Sequence, residues 1–350
     1  MTKKVVFFTD FHAHIYETFA KPDPEFVNDR FRVQMNTLQK VFDIAREKQA
    51  VLLFGGDLFH KRGKIDDIVF NKVYEVFARN SDVPTRLVRG NHDSRTNQTV
   101  TEHWLETFKY LSHVEVFAVP DMRLEEDFNL YAIPYSDDVD YLKEKIVEFA
   151  TLQRQDKHRP SILVAHIGVD GSETGRYSHR LEGAFKIGDL FPDVFDYVAL
   201  GHYHKRQFLG GLDNVFYGGN TIQTSFADEG QDKGVFFIDL EKGGKPEFIP
   251  IENKKFITLT EIPPNVQELV DNHYVRFVIP QDLATEVEIF KEETDNIRVE
   301  VQREYKTETR IDIGVDSSEE QIVEAYTKEF YPEVTELALD VLKEAMSKGN

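Results

Sequence analysis

Short apolar runs of β-favouring residues recur along the first 240 positions, at 5–8, 51–54, 85–88, 129–133, 162–165, 197–200, 215–217 and 235–240. Runs of this length are predicted to be buried strands. Helical periodicity fills several of the intervals: 31–48 places Val33, Leu38, Val41, Phe42 and Ala45 on one face, and 68–79 does the same with Val69, Val73, Val76 and Phe77. Strand and helix alternate in the first half and more strands follow, a pattern that predicts an α/β fold with sheets layered between helices. The pattern breaks near 242–246. Beyond it, β-branched and charged residues alternate, as in Tyr274–Ile279 and Ile297–Val301, and 252–316 is expected to form a small α/β appendage to a main domain at 1–251.

Residues 317–350 have a third character. Ser317 and Ser318 followed by Glu319 and Glu320 mark a helix start with acidic residues over the N-terminal dipole, and Pro332 separates two helices. Ile322, Val323, Tyr326 and Phe330 form one apolar stripe; Val334, Leu337, Ala338, Val341, Leu342 and Ala345 form another. Two readings stand: the helices dock on their own domain, or they receive a helix or coiled coil of a partner.

Composition narrows the chemistry. The 350 residues suit one large domain with a smaller companion, and no apolar stretch approaches the roughly 20 residues of a membrane span, so a cytoplasmic protein is expected. With no cysteine, thiolate sites and disulfides are excluded, and any metal must be held by His, Asp, Glu or Asn. A net charge of −20 speaks against polyanions, but it is unevenly spread. The first 251 residues carry 31 basic and 39 acidic groups, whereas 252–316 carries 8 against 15 and the final segment 3 against 8.

Metal-competent side chains fall directly after strand candidates, where loops gather ligands. They are Asp10-Phe11-His12, Gly56-Asp57-Leu58-Phe59-His60, Gly90-Asn91-His92-Asp93, Ala165-His166 and Gly201-His202-Tyr203-His204. Glycines before Asp57, Asn91 and His202 permit sharp turns and a close metal. One such histidine alone would be read as structural; five loops together point to a metal centre. In that order the loops resemble the signature of calcineurin-like metallophosphoesterases. The His-x-His of Asp10-Phe-His12-Ala-His14 also occurs in amidohydrolase-type barrels, but the later loops do not fit that pattern, and His14 is read as a supporting residue.

That resemblance implies a four-layer αββα sandwich with a small cap domain and C-terminal helices. It implies one metal held by Asp10, His12, Asp57 and His204 and a second by Asp57, Asn91, His166 and His202, with Asp57 bridging. Two cations roughly 3.5–4 Å apart activate a shared water for attack as metal hydroxide. The expected cofactors are two Mn²⁺, or Mg²⁺ in their place. His92, oriented by Asp93, is implied to stabilise developing charge or protonate the leaving oxygen.

Residues beyond the ligands point to DNA. His60, three positions after Asp57, resembles a histidine of the archaeal and eukaryotic relatives of the SbcD-type DNA-repair nucleases, where it assists exonuclease action. Residues 217–226, with Glu229, Lys233, Gly234 and 235–240, look like the SbcD segment after the last metal motif. The likeness spans about 3–240, with the cap matched by position and length only. It implies a DNA exonuclease and endonuclease of repair or recombination, a homodimer partnered by an SbcC-type coiled-coil ATPase, in a bacterium or as a phage protein in an infected host. Lys61, Arg62, Lys64, Arg89, Arg95, Arg176, Arg180, Lys205 and Arg206 flank the motifs as an expected DNA-binding rim, although the acidic cap argues against clamping DNA itself. The alternative is a phosphoesterase acting on a small phosphodiester or nucleotide. A scaffold without catalysis is disfavoured by the full ligand set.

Overall fold

A computed structural model of the chain describes residues 3–124, 127–173, 185–281, 283, 286–287, 296–301 and 317–348. Strands β1 (Lys4–Phe8), β2 (Val51–Phe54), β3 (Thr85–Val88) and β4 (Val114–Phe117) run parallel side by side, with α1 (Asp29–Lys48) and α2 (Asp67–Arg79) in the first two crossovers. Helix α1 starts where the Asn28 side chain accepts the Phe31 N–H and stops at Gln49, which turns left-handed. A second sheet sets β6 (Asn129–Ile133), β7 (Ser161–His166), β8 (Tyr197–Gly201) and β10 (Val215–Tyr217) parallel, edged by antiparallel β5 (Asp121–Leu124) and β9 (Gln207–Phe208). Helix α3 (Val139–Gln155) joins β6 to β7. The first sheet is completed by β11 (Gly234–Asp239), antiparallel to β1, and β12 (Glu247–Pro250).

Alternation along the strands makes the layers. Val6 and Phe8 of β1 pack with Phe31, Leu38 and Phe42 of α1, while Val5 and Phe7 join Leu130, Ile162, Val164 and Ala199 between the sheets. On the far side, Leu163, Ala165, Val198 and Leu200 pack with Leu142, Ile146 and Phe149 of α3. The order is therefore helix, sheet, sheet, helix, and most central strands are apolar on both faces. The C-terminal ends of parallel strands from both sheets converge, and the chemistry-bearing residues sit there.

A small parallel sheet, β13 (Phe256–Leu259), β14 (Tyr274–Ile279) and β15 (Ile297–Val301), with α4 (Val266–Asn272), has its own core of Val266, Val270, Val275, Phe277 and Ile279. It belongs to the same compact unit as the sandwich, which runs to Val301. Glu229 accepts the Thr258 N–H at 2.6 Å and its hydroxyl at 2.7 Å, and Gln223 accepts the Phe256 N–H at 2.7 Å. Residues 302–350 form a separate compact unit containing α5 (Glu319–Phe330) and α6 (Thr335–Lys348). Ser318 and Gln321 cap α5 reciprocally. Tyr326, Phe330, Leu337 and Val341 are exposed there. Among the described residues no helix is long and apolar enough to cross a membrane.

Candidate metal centre

The loops after β1, β2, β3 and β8, with His166 at the end of β7, bring Asp10, His12, Asp57, Asn91, His166, His202 and His204 into one cluster. His12 Nε2 lies 2.9 Å from His204 Nε2, 3.7 Å from an Asp57 oxygen and 4.0 Å from an Asp10 oxygen. His204 Nε2 is likewise 4.0 Å from Asp10. On the other side of Asp57, His166 Nε2 is 3.3 Å from the same Asp57 oxygen and 3.0 Å from Asn91 Oδ1, which His202 Nδ1 approaches to 3.2 Å. One Asp57 oxygen thus faces both groups.

Unusual backbone makes the convergence. Asp10, His12, Asp57 and His202 all have positive φ, a strained conformation for residues with a Cβ that persists only where surroundings enforce it. Two glycines allow the close approach: a Cβ on Gly56 would overlap the His166 ring, and one on Gly90 would overlap Asp57. His202 N–H donates to both Asp10 oxygens at 3.1 Å, and His92 N–H donates to Asp57 at 2.7 Å, so the carboxylates are aimed before any ligand arrives.

The donors suit divalent cations. Nitrogen and oxygen lone pairs of buried groups face one another, and the His12 Nδ1 is buried with no partner. Burial disfavours charge on His12 and drives it well below its ordinary range; burial also holds His202 down at about 3, with His166 adding repulsion. Burial would raise Asp57, but His166 and His12 outweigh it and hold the carboxyl below its usual range. His166 goes the other way: burial opposes its charge, yet Asp57 overcomes this and raises it to about 9. A proton on His166 balances charge that a cation would balance otherwise. Asp10, Asp57 and His166 form one candidate ion-holding triad, and Asp10, His12 and His204 another. With no thiolate among them, four imidazoles, two carboxylates and an amide oxygen make a set that fits divalent metal ions.

The expected accessory residues fall differently. His92 and His60 line the centre's edge, with ring centroids 4.8 and 5.4 Å from that of His12. Asp93 does not orient His92. Its fully buried carboxylate accepts the N–H groups of Asp57, Leu58 and Gly90 at 2.9 Å and of Phe59 at 3.2 Å, stitching the Asp57 loop to the Asn91 loop. Burial and the Asp57 charge push Asp93 up to about 6 against those donors. His92 Nδ1 instead contacts the His60 carbonyl. His14 stacks on His60 at 5.1 Å and 27°, with its N–H on Gln34.

The expected basic rim is only partly a rim. Arg89 is 1% exposed and its guanidinium donates to the carbonyls of Ala118, Thr99 and Tyr135 and to Ser94, leaving no group for a phosphate; it is a structural arginine. Arg95 pairs with Glu102 at 2.8 Å, Lys205 pairs with Glu173 and Arg62 bonds Asn97. Lys61 and Lys64 are exposed, and Arg206, also exposed, lies 3.9 Å from the centroid of the Phe248 ring. Arg176 and Arg180 lie outside the described residues.

One set of residues was not anticipated. Lys233, buried, donates to the His204 carbonyl at 3.0 Å, to Asp228 at 3.1 Å, to Gln231 at 2.8 Å and to Asn220. Asn220 N–H also donates to the His204 carbonyl, at 3.2 Å, and Thr221 Oγ1 to the Thr9 carbonyl at the same distance. This network anchors the loops carrying His204 and Asp10 from below. Lys233 and Asp228 stand in or beside the segment already likened to SbcD, and a lysine inside an apolar strand start is the signal that marks them.

The sequence profile of the calcineurin-like phosphoesterases matches residues 3–206. The chain belongs to that family. Family membership and the clustered donors together support a metal-dependent hydrolase of phosphoester bonds. The SbcD component of the SbcCD nuclease of Staphylococcus epidermidis is 23% identical over 239 residues, which cover 62% of this chain and 63% of that protein. The chain therefore spans less than two thirds of the curated relative. Solved structures that resemble it include a dimetal phosphatase from Danio rerio, with a TM-score of 0.41 and 8% identity over 67% of this chain and 91% of that one. Another is the calcineurin-like phosphoesterase YfkN of Bacillus subtilis, with a TM-score of 0.34 and 14% identity over 62% and 81%.

Proposed function

We propose that the chain is a DNA nuclease that hydrolyses phosphodiester bonds with two divalent cations, Mn²⁺ or Mg²⁺, held by the two donor groups that share Asp57. A bound cation pair lowers the pKa of a shared water and neutralises charge on the phosphoryl oxygens. Asp10 and Asp57, pre-aimed by backbone N–H groups, hold their lone pairs in place, and His166 must give up its proton to take part. His92, half-buried with its Nδ1 held by the His60 carbonyl, is the group assigned to protonate a departing oxygen. Asp93 acts through the loops it joins rather than on the substrate.

The single observation that carries the DNA reading is His60, set beside His12 and His92 at the edge where a strand would lie. The likeness to the SbcD protein supports it. The same likeness motivates three further parts of the reading: 252–316 acts as a cap, exposed apolar residues of 317–350 dock an SbcC-type coiled-coil ATPase, and the nuclease works as a homodimer. The second reading, a small phosphodiester or nucleotide as substrate, is favoured by the pairing of several rim cations. Linear duplex and single-stranded DNA with Mn²⁺, assayed beside a cyclic nucleotide and bis-p-nitrophenyl phosphate, separate the two. Cleavage of DNA is expected; turnover of small esters alone would overturn the reading. Removal of 317–350 is expected to abolish ATPase association and leave metal-dependent cleavage intact.

A further inference from the structure

Next to the centre lies a cavity of about 240 Å³ lined by Gly63, Arg95, Glu102, His103 and Trp104. Its walls come from the two loops that begin at Asp57 and Asn91: Gly63 follows His60, and the Trp104 N–H donates to the Asp93 carbonyl at 2.9 Å. Arg62 bonding Asn97 ties these loops together. We propose that this cavity is a nucleobase subsite, which takes the base of a nucleotide adjoining the scissile phosphate of a DNA strand and stacks it on Trp104. The inference rests on the DNA reading above.

Four features support it. The volume exceeds the ~150 Å³ that houses a benzene ring in an engineered cavity. Trp104, the sole tryptophan of the chain, is half-buried, so its indole is anchored in the core beneath and open on one side. Indole faces bind bases of any sequence, as a nuclease needs. The cavity wall also carries the polar side chains of Arg95, Glu102 and His103, groups of the kind a base edge can hydrogen-bond. Arg95 and its partner Glu102 are both largely exposed, so the arginine can exchange that carboxylate for a backbone phosphate at little cost.

Because Trp104 is unique, its fluorescence reports the subsite directly in the full-length, Mn²⁺-loaded protein. A single-stranded oligonucleotide with cleavage-resistant phosphorothioate linkages should quench the emission, and the same backbone with abasic residues should not. Trp104→Ala should raise KM for oligonucleotide cleavage about tenfold with kcat little changed, leave KM for the abasic strand unmoved, and be largely rescued in Trp104→Phe. Normal DNA cleavage with emission indifferent to bases would overturn the subsite alone. Quenching by free nucleotides in a protein that cleaves no DNA would overturn the strand as its occupant, and the DNA reading with it.

Discussion

His12, Asp57 and His166 are sealed within the centre, with strained backbones or buried rings locked by neighbouring loops, whereas His14, His60 and His92 are partly exposed and joined by ring stacking and by the His92 contact to the His60 carbonyl. The first group is built for holding. Its groups lost hydration on folding, and their charges are balanced only by each other. The second is suited to acting on something that arrives from solvent, since its rings are partly exposed. His12 and His14, two residues apart in sequence, thus differ in burial, and the proposed division into ion holders and reagents rests on differences of that kind.

The sharpest way to break this division is at its shared member. Asp57→Ala should remove both ions and lower activity by at least ~10³-fold, because the cations supply several kcal/mol of transition-state stabilisation; Mn²⁺ content and rate check it together. His92→Ala should lower kcat by ~10²-fold or more while Mn²⁺ binding stays within a few-fold. Loss of metal in that variant would place His92 among the holders. Lys233→Met should weaken Mn²⁺ binding by roughly 10–100-fold through the His204 loop. It should also destabilise the fold by ~3–5 kcal/mol by leaving Asp228 buried without its partner. Adding Asp228→Asn should recover part of that loss in a denaturant titration.

A smaller effect separates the holders by pH. In ion-free protein the His166 pKa is raised to about 9 from an ordinary 6.5, so its contribution to stability is full below the ordinary value and is lost as pH climbs through about 9. Asp57 is depressed, so its contribution is present above its ordinary 3.8 and is lost as pH falls toward its lowered value. The buried pair therefore stabilises the ion-free fold from about pH 4 to about pH 9. Mn²⁺ loading near neutral pH should release about one proton per chain, measurable as buffer-dependent binding heat, and His166→Asn should abolish that release.

Much of this was legible in the chain. Central strands, buried on both faces, read as continuous apolar runs and stand within a residue or two of their expected ends, as at 129–133 and 51–54. Helix α3 was missed, since its stripe of Leu142, Ile146 and Phe149 is diluted by charged neighbours. The seven donors converge because each follows a strand, which sequence order reveals. Side-chain direction is not so revealed. Asp93 adjoins His92 in sequence but turns inward to four N–H groups, and Arg89 follows a strand yet finds its carbonyls in loops far along the chain. Lys233 owes its role to acceptors up to 29 residues away, which no local pattern encodes.

Electron paramagnetic resonance of a Mn²⁺ titration tests the central claim most directly. Two ions per chain with an exchange-coupled spectrum, lost in Asp57→Asn, are the expected result; a single ion, or two that remain magnetically independent, would contradict a centre built around one shared carboxylate.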